Sequence, residues 1–236
     1  MLLEQIHDPS DVRKLNDEQA RLLCRELRTF LLEQVSRTGG HLASNLGIVE
    51  LAVALEREFD SSRDRIIYDV GHQCYVHKIL TGRRDEFRTL RMFGGLAGFP
   101  KPSESVTDPF VAGHASSSVS TALGMARART LQHEDYHVVA LMGDGAMTGG
   151  LAYEAMNDAG ESSEQLIVRD APLGAHEIHL ARNRQVKQIL ARARLAPNGQ
   201  NQHVNPLSTI TASRYSKPIH CQYGTQTTSP ARQVAR

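Results

Sequence analysis

The 236-residue chain has no tryptophan, three cysteines and few aromatic residues of any kind. The cysteines (Cys24, Cys74 and Cys221) are odd in number and far apart, which argues against a disulfide framework or a zinc site. We therefore expect free thiols in a reducing compartment. No run of about 18 apolar residues occurs, so no membrane-spanning helix is expected. The N-terminus lacks the basic start and apolar core of a secretory signal, and a cytoplasmic protein is the resulting prediction.

The overall composition is that of a globular protein, but the charge is unevenly distributed. Hydrophobic residues make up 40% of the chain and charged residues 22%, and the length suffices for a substantial core. The net charge of +1 combines 17 Lys+Arg and 24 Asp+Glu in residues 1–168 with 10 Lys+Arg and 2 Asp+Glu in residues 169–236. This step from an excess of acid to an excess of base predicts two parts that differ in character.

The spacing of apolar residues predicts helices and strands that alternate along the first part. The predicted helices span 17–35, 48–59, 117–131 and 151–159, and the predicted strands span 65–70, 108–112, 137–142 and 165–168. Asn16 or Asp17 is suited to cap the first helix, and Thr38-Gly39-Gly40 to end it. Alternating strands and helices indicate an α/β fold with a parallel sheet flanked by helices on both faces.

Three polar turns that contain glycine each follow a predicted strand: Gly71-His72-Gln73, Gly113-His114-Ala115 and Gly143-Asp144-Gly145. Because parallel strands end at one edge of a sheet, the turns should meet there, where ligands bind in such folds. Asp144 precedes a predicted helix. Its carboxylate can hold a hard divalent cation, while glycines and helix N–H groups admit a phosphate. Taken alone, Gly-Asp-Gly also fits an ordinary turn.

The turns and their surroundings resemble the 1-deoxy-D-xylulose-5-phosphate synthase family, thiamin-diphosphate enzymes related to the transketolases. The matching segments are 36–41, 69–73, 77–83, 94–96, 113–118, 143–150 and 155–157. The likeness runs from about residue 5 to residue 168. Within it, the His-Lys-Ile-Leu-Thr-Gly-Arg segment at 77–83 favours this family over transketolase proper.

The resemblance implies a fold, a reaction and cofactors. The family condenses pyruvate with glyceraldehyde 3-phosphate, releases carbon dioxide and makes deoxyxylulose phosphate for isoprenoid and thiamin synthesis. Its members are transferases that use thiamin diphosphate and Mg²⁺ and act as homodimers. We therefore expect residues 1–168 to form an incomplete diphosphate-binding domain of this kind, with residues 169–236 as an irregular or helical tail.

The resemblance also assigns site residues. It implies catalytic roles for His41, His72 and His114, cofactor contacts for His72, Gly113, His114, Ala115, Gly145 and Ala146, and Mg²⁺ ligation by Asp144. His41 matches a histidine near the reacting carbon, where an imidazole can transfer protons at neutral pH.

Several other polar residues leave alternatives open. His77 lies in a family segment but also fits a structural role. Lys78, Arg83 and Arg84 could contact a substrate phosphate, although a basic cluster near a helix end is more often solvated, and they are left out of the predicted site. Asp69 and Glu50 could be catalytic carboxylates. For Asp69, at a strand end, capping of a turn is at least as good an interpretation.

The resemblance ends after Val168. The family continues to an Asn-Asp-Asn motif whose first Asn completes the magnesium site, and the corresponding position here is near Leu173, which cannot ligate a cation. Arg169 and Pro172 also fit a buried central strand poorly. The family's pyrimidine-binding domain, which supplies a glutamate that activates the cofactor, has no counterpart in the sequence. We expect little or no synthase activity from this polypeptide alone.

Residues 169–236 admit three interpretations. Residues 179–195 could form a basic amphipathic helix, and residues 196–236 have a composition typical of disorder. A shift of reading frame near codon 169 would explain the abrupt change in charge and motif. Alternatively, the protein is a non-catalytic binding protein whose basic tail contacts nucleic acid or an acidic partner. Binding of nucleic acid is the less favoured of these hypotheses.

Overall fold

The computed structural model describes residues 1–171, which form six α-helices and three β-strands. The helices are α1 (Pro9–Arg13), α2 (Asp17–Thr38), α3 (Leu42–Glu58), α4 (Tyr75–Lys78), α5 (Ser118–Leu131) and α6 (Gly150–Glu161). The strands are β1 (Arg65–Tyr68), β2 (Val138–Gly143) and β3 (Ile167–Ala171). The predictions for 179–195 and 196–236, together with Leu173 and Cys221, lie outside the described residues.

Helix α2 begins and ends where the sequence predicts. Asn16 Oδ1 accepts a hydrogen bond from Gln19 N (2.9 Å), and Gln19 Oε1 accepts one from Asn16 N (3.0 Å), which forms a capping box. The helix ends at Gly39, whose φ of 73° is the left-handed conformation that glycine adopts readily. Both termini thus follow from local sequence.

Helix α3 begins at Leu42, six residues before the predicted start at 48. Ser44 and Asn45 interrupt the apolar spacing of its first turn and so conceal the helix in the sequence. In the structure both side chains hydrogen-bond to the carbonyl of His41, and Asn45 is fully buried. Their polarity therefore serves the start of the helix.

The sheet is parallel throughout, with the order β1-β2-β3, and this confirms the predicted fold class. Successive residues of a strand face opposite sides, so each strand contributes to two cores. One core joins Ile66, Tyr68, Val139 and Leu141 to helices α2 and α3. The other joins Ile67, Val138, Ala140 and Met142 to helices α5 and α6. Helices on both faces explain the apolar sequences of β1 and β2.

The predicted strand 108–112 is wrong, since this segment is irregular. Asp108 is buried and its carboxylate accepts hydrogen bonds from Arg83 and from the backbone N–H of Lys101. Pro109 cannot donate to a ladder. The segment is therefore shaped by a buried ion pair and not by strand pairing.

Strand β3 continues through Arg169 to Ala171, although the sequence suggested that Arg169 fits a buried central strand poorly. Leu141 pairs with Arg169, and Gly143 pairs with Ala171. Within residues 1–171, β3 has a strand neighbour on one side only, β2.

Cys24 and Cys74 are buried free thiols, as the sequence predicts. Burial raises the pKa of each thiol to about 12, so neither is a reactive thiolate near neutral pH. Among residues 1–171, no helix combines the length and the apolar character required to cross a membrane.

Candidate functional site

The predicted turns converge on one cleft at the carboxyl edge of the sheet. The cleft has a volume of about 390 Å³ and is lined by the start of α3, by Asp69, Val70, His72 and Gln73 after β1, by Ala115 and by residues 143–146 at the end of β2. Each of the three turns therefore contributes to the lining. The arrangement agrees with the rule that parallel α/β sheets bind ligands beyond the ends of their strands.

Asp69 holds the second turn at this edge although no strand precedes that turn. Its buried carboxylate, 1% exposed, accepts hydrogen bonds from Ser116 N (2.8 Å) and Ser118 N (3.0 Å) at the start of α5. Ser116 Oγ in turn donates to Ala146 O (2.6 Å), which connects the second and third turns. Of the two interpretations of Asp69, the structure shows the cap.

Asp144 is exposed at the end of β2 and begins a 3₁₀ turn, Asp144–Thr148, that precedes α6. Its Oδ1 accepts a hydrogen bond from Gly145 N (2.8 Å). No atom lies within 4 Å of the position that a Cβ would occupy on Gly143 or Gly145, so a ligand can approach the backbone there. The open backbone and the exposed carboxylate fit an anion that is bridged by a hard cation.

In residues 1–171, no three His, Cys, Asp or Glu side chains form a group that could hold a metal ion. A cation beside Asp144 would take its other ligands from phosphate, water, backbone oxygens or residues outside this range. Mg²⁺ accepts such a set, because it commonly uses one or two carboxylates, several waters and substrate phosphates.

The structure brings His41 and His72 together. Their ring centroids are 5.1 Å apart with an edge-to-face angle of 67°, and His72 lines the cleft. His72 Nδ1 is buried and has no hydrogen-bond partner in the protein. Burial lowers the pKa of His72, and the neighbouring His41 lowers it further, so the His72 imidazole is neutral near pH 7.

The third predicted histidine is not part of the cleft lining. His114 and Gly113 are exposed and do not line the cleft, whereas Ala115 does. The His114 carbonyl accepts a hydrogen bond from Ser117 Oγ (3.3 Å), which closes the turn before α5.

Two of the residues expected to be solvated are buried, so the interpretation of the basic cluster is wrong for them. Lys78 is 0% exposed and donates to Glu104 and to the Ala97 carbonyl (2.9 Å). Arg83 is 5% exposed and forms a two-point ion pair with Asp108 (2.6 and 2.9 Å). Desolvated cations require such partners, and these were not apparent in the sequence because they lie about 25 residues away.

His77 is structural, which is one of the two roles that the sequence left open. Its Nδ1 lies 2.6 Å from Glu56 Oε1 and its Nε2 lies 3.0 Å from Asp108 Oδ1. Burial lowers the pKa of His77, but the Glu56 carboxylate and the hydrogen bonds to both acids outweigh burial and raise it. An imidazole between two carboxylates donates from both nitrogens only when it is protonated.

Glu50, the other carboxylate with an open role, pairs with Arg28 of α2, and both side chains are partly exposed. Neither residue lines the cleft. The pair therefore links helices α2 and α3.

Asn45 is a buried neighbour of the site that the motifs do not identify. Its side chain bonds to the backbone of His41, His72 and Tyr75. The sequence did contain one signal for it, an amide among the apolar residues of α3. A polar group buried there would need hydrogen-bond partners, since buried polar groups generally have them.

Comparison with known proteins identifies the family. A family model described as 1-deoxy-D-xylulose-5-phosphate synthase matches residues 3–189. The synthase of Caldanaerobacter subterraneus subsp. tengcongensis is 58% identical over 167 residues, which cover 71% of this chain and 27% of that protein. The synthase of Pelotomaculum thermopropionicum is 57% identical over 182 residues, 77% of this chain and 28% of that protein.

Solved structures show the same fold. A transketolase from Leishmania mexicana aligns with a TM-score of 0.56 and 18% identity over 76% of this chain and 31% of that one. A transketolase from Pichia Stipitis gives a TM-score of 0.56 with 20% identity over 74% of this chain and 30% of that one. The chain spans just over a quarter of the length of the curated relatives it matches. By the extent of the family match and the turns that converge on one cleft, this chain belongs to the 1-deoxy-D-xylulose-5-phosphate synthase family.

Proposed function

We propose that this chain forms the diphosphate-binding half of a thiamin-diphosphate and Mg²⁺ site in a 1-deoxy-D-xylulose-5-phosphate synthase. The observation that carries the proposal is the convergence of three turns on one cleft, with an exposed carboxylate beside open glycine backbone. Family membership supports the assignment.

In this proposal, Asp144 supplies one oxygen ligand to Mg²⁺, and the backbone N–H groups of Gly145 and Ala146 contact the diphosphate. N–H groups at the start of the 3₁₀ turn Asp144–Thr148 would face the anion, that of Gly145 after release from Asp144 Oδ1, and the cation would offset the diphosphate charge. Ala115 lines the same cleft. Gly113 and His114 are exposed and immediately precede Ala115, and in this proposal they would contact a cofactor that extends beyond the cleft lining.

His41 and His72 would serve proton transfer in the reaction. Thiamin diphosphate supplies the stabilisation of carbanions when it is bound. The lowered pKa of His72 keeps its ring neutral, so that it can accept a proton or a hydrogen bond near pH 7. The unpartnered Nδ1 of His72 offers a position for such a bond. His41 does not itself line the cleft, but its ring lies beside that of His72, and in this proposal it would exchange protons with the reactants there.

The complete reaction is proposed for an assembled enzyme. The reaction converts pyruvate and glyceraldehyde 3-phosphate to deoxyxylulose phosphate and carbon dioxide. The assembled enzyme would be a homodimer. This segment covers little more than a quarter of the relatives, so for the isolated 236-residue chain we expect cofactor binding with little or no product formation.

Isothermal titration of the 236-residue chain with thiamin diphosphate, with and without Mg²⁺, tests this proposal. We expect binding that depends on Mg²⁺, and we expect Asp144→Asn to abolish that dependence. Asp135→Asn is the matched control, because Asp135 is exposed and precedes β2, whereas Asp144 follows it. Equal Mg²⁺ dependence in Asp144→Asn and the wild type would contradict the assignment of Asp144 as a magnesium ligand. Formation of deoxyxylulose phosphate by the isolated chain would contradict the expectation that it is inactive.

A further inference from the structure

Asn45 is completely buried in the first turns of α3, and its side-chain amide makes three hydrogen bonds to backbone. Nδ2 donates to the His41 carbonyl (2.7 Å) and to the His72 carbonyl (2.8 Å). Oδ1 accepts from the Tyr75 N–H (2.8 Å). Both donors of the amide are in use, and no apolar side chain can replace them.

These bonds join the start of α3 to residues 72–75, which lie 27 to 30 residues further along the chain. His41 immediately precedes α3, His72 lies in the turn after β1, and Tyr75 begins α4. The two carbonyls that share one NH₂ group belong to the two residues whose rings meet edge to face. The amide therefore fixes the distance between the backbones that carry both imidazoles.

The surrounding packing leaves these segments little freedom. Tyr75 Oη accepts a hydrogen bond from the His41 N–H (3.4 Å). A Cβ on Gly40 would lie 2.8 Å from Tyr75 Oη, so the backbone before His41 is packed closely against that ring. Tyr75 itself is buried against Phe87, with ring centroids 5.9 Å apart.

We propose that Asn45 is a positioning residue, which holds the His41 and His72 imidazoles together by donating to both of their carbonyls. The hydrogen bonds alone establish this geometry. Its relevance to catalysis rests on the proposed function, in which the two histidines serve proton transfer. Removal of the donors lets the two segments separate; the His72 carbonyl loses its donor, whereas the His41 carbonyl keeps the hydrogen bond from Ser44 Oγ.

Nuclear magnetic resonance of the 236-residue chain tests this proposal. The wild type should show a nuclear Overhauser effect between ring protons of His41 and His72 and slow solvent exchange of the Asn45 side-chain NH₂. Asn45→Ala should lose the Overhauser effect. Asn45→Asp keeps the acceptor for Tyr75 but loses the paired donors, and it should show the same loss. The pKa of His72, which burial still lowers, should then rise, because the lowering effect of the neighbouring His41 is lost as the rings separate.

Asn16→Ala is the matched control, since it removes a capping amide from α2 and leaves the histidines in contact. The proposal is overturned if the folded Asn45→Asp protein keeps the Overhauser effect, or if the wild-type Asn45 NH₂ exchanges as fast as an exposed amide. The exchange measurement decides the matter even if both Asn45 variants fail to fold. Failure of the proposed function would appear separately, as an absence of thiamin-diphosphate binding by a wild-type chain with paired rings.

Discussion

The variant Asp69→Asn should affect two properties that can be measured separately, the free energy of unfolding and the binding of cofactor in the cleft. The Asp69 carboxylate follows β1 and accepts two backbone hydrogen bonds from the segment that begins α5. The amide of asparagine can accept one of these bonds, but its NH₂ group then faces the second N–H. One buried backbone donor is left without a partner, and the second turn loses half of its attachment to the sheet.

The expected cost follows from the number and kind of these bonds. A hydrogen bond to a charged group contributes about 1.5–3 kcal/mol, and an unpaired buried donor costs about 1–3 kcal/mol. We therefore expect Asp69→Asn to lower the free energy of unfolding by about 2–3 kcal/mol and Asp69→Ala by about 3–5 kcal/mol. Domains of this kind have a total of about 5–15 kcal/mol, so Asp69→Asn should still fold.

Urea unfolding followed by circular dichroism gives the measurement, because the chain has no tryptophan for fluorescence. Asp64→Asn is the matched control at the other end of β1. Its buried carboxylate also accepts two backbone bonds, from His137 N and Asp60 N (both 2.8 Å), but it does not line the cleft. Both variants should lose similar stability, and Asp69→Asn alone should weaken Mg²⁺-dependent binding of thiamin diphosphate.

Two results would refute this reasoning. If Asp69→Asn unfolds at the wild-type urea concentration with an unchanged slope, the two hydrogen bonds contribute nothing to stability. If Asp64→Asn weakens cofactor binding as much as Asp69→Asn does, the loss of binding reflects general destabilisation and not the position of the second turn.

Two further predictions concern the ionic cluster and a glycine beside the cleft. The pKa of Asp108 is lowered, because hydrogen bonds from His77 and Arg83 outweigh the effect of its burial, so its contribution to stability is lost as the pH falls below about 4. The pKa of His77 is raised, so its contribution to stability is complete below about pH 6.5 and is lost as the pH rises through the raised value. Unfolding titrations should therefore show a stability maximum between these limits. His77→Gln should lose the alkaline decline, and a decline that persists in this variant would be caused by another group. Gly71→Ala should lower the free energy of unfolding by at least about 1–2 kcal/mol, since Gly71 has φ of 88° and its Cβ would lie 2.6 Å from Pro100 Cδ. Gly124→Ala in α5, where nothing lies within 4 Å, should be neutral or stabilising, and equal losses in the two glycine variants would contradict the explanation.

Much of the fold was predictable because its signals are local. The capping box at Asn16 involves residues three apart, and the left-handed Gly39 ends the same helix. The buried strand before Gly143-Asp144-Gly145 and the helix after it are also apparent from consecutive residues. Helix propensity, capping and apolar periodicity depend on residues within about one helical turn of each other. They can therefore be recognised in a single sequence.

The site was only partly predictable, because its members depend on distant partners. The sequence suggested that His72 and Asp144 share one edge, and both line the cleft. It could not show that His114 faces solvent, that the segment before it is irregular, or that the residues after it are held by Asp69. A strand pattern with Pro109 was a weak signal, and the buried Asp108 overrode it.

The sequence by itself determined the α/β class, the α2 caps and the glycine turns that relate the chain to its family. Only the tertiary structure decided which charges are buried and which turns meet. Asp69 contacts Ser116 across 47 residues, Asn45 contacts His72 across 27, and Glu56 contacts His77 across 21. A buried polar group must find a partner wherever the chain brings one, and that partner is fixed by the packing of whole elements and not by neighbours in sequence.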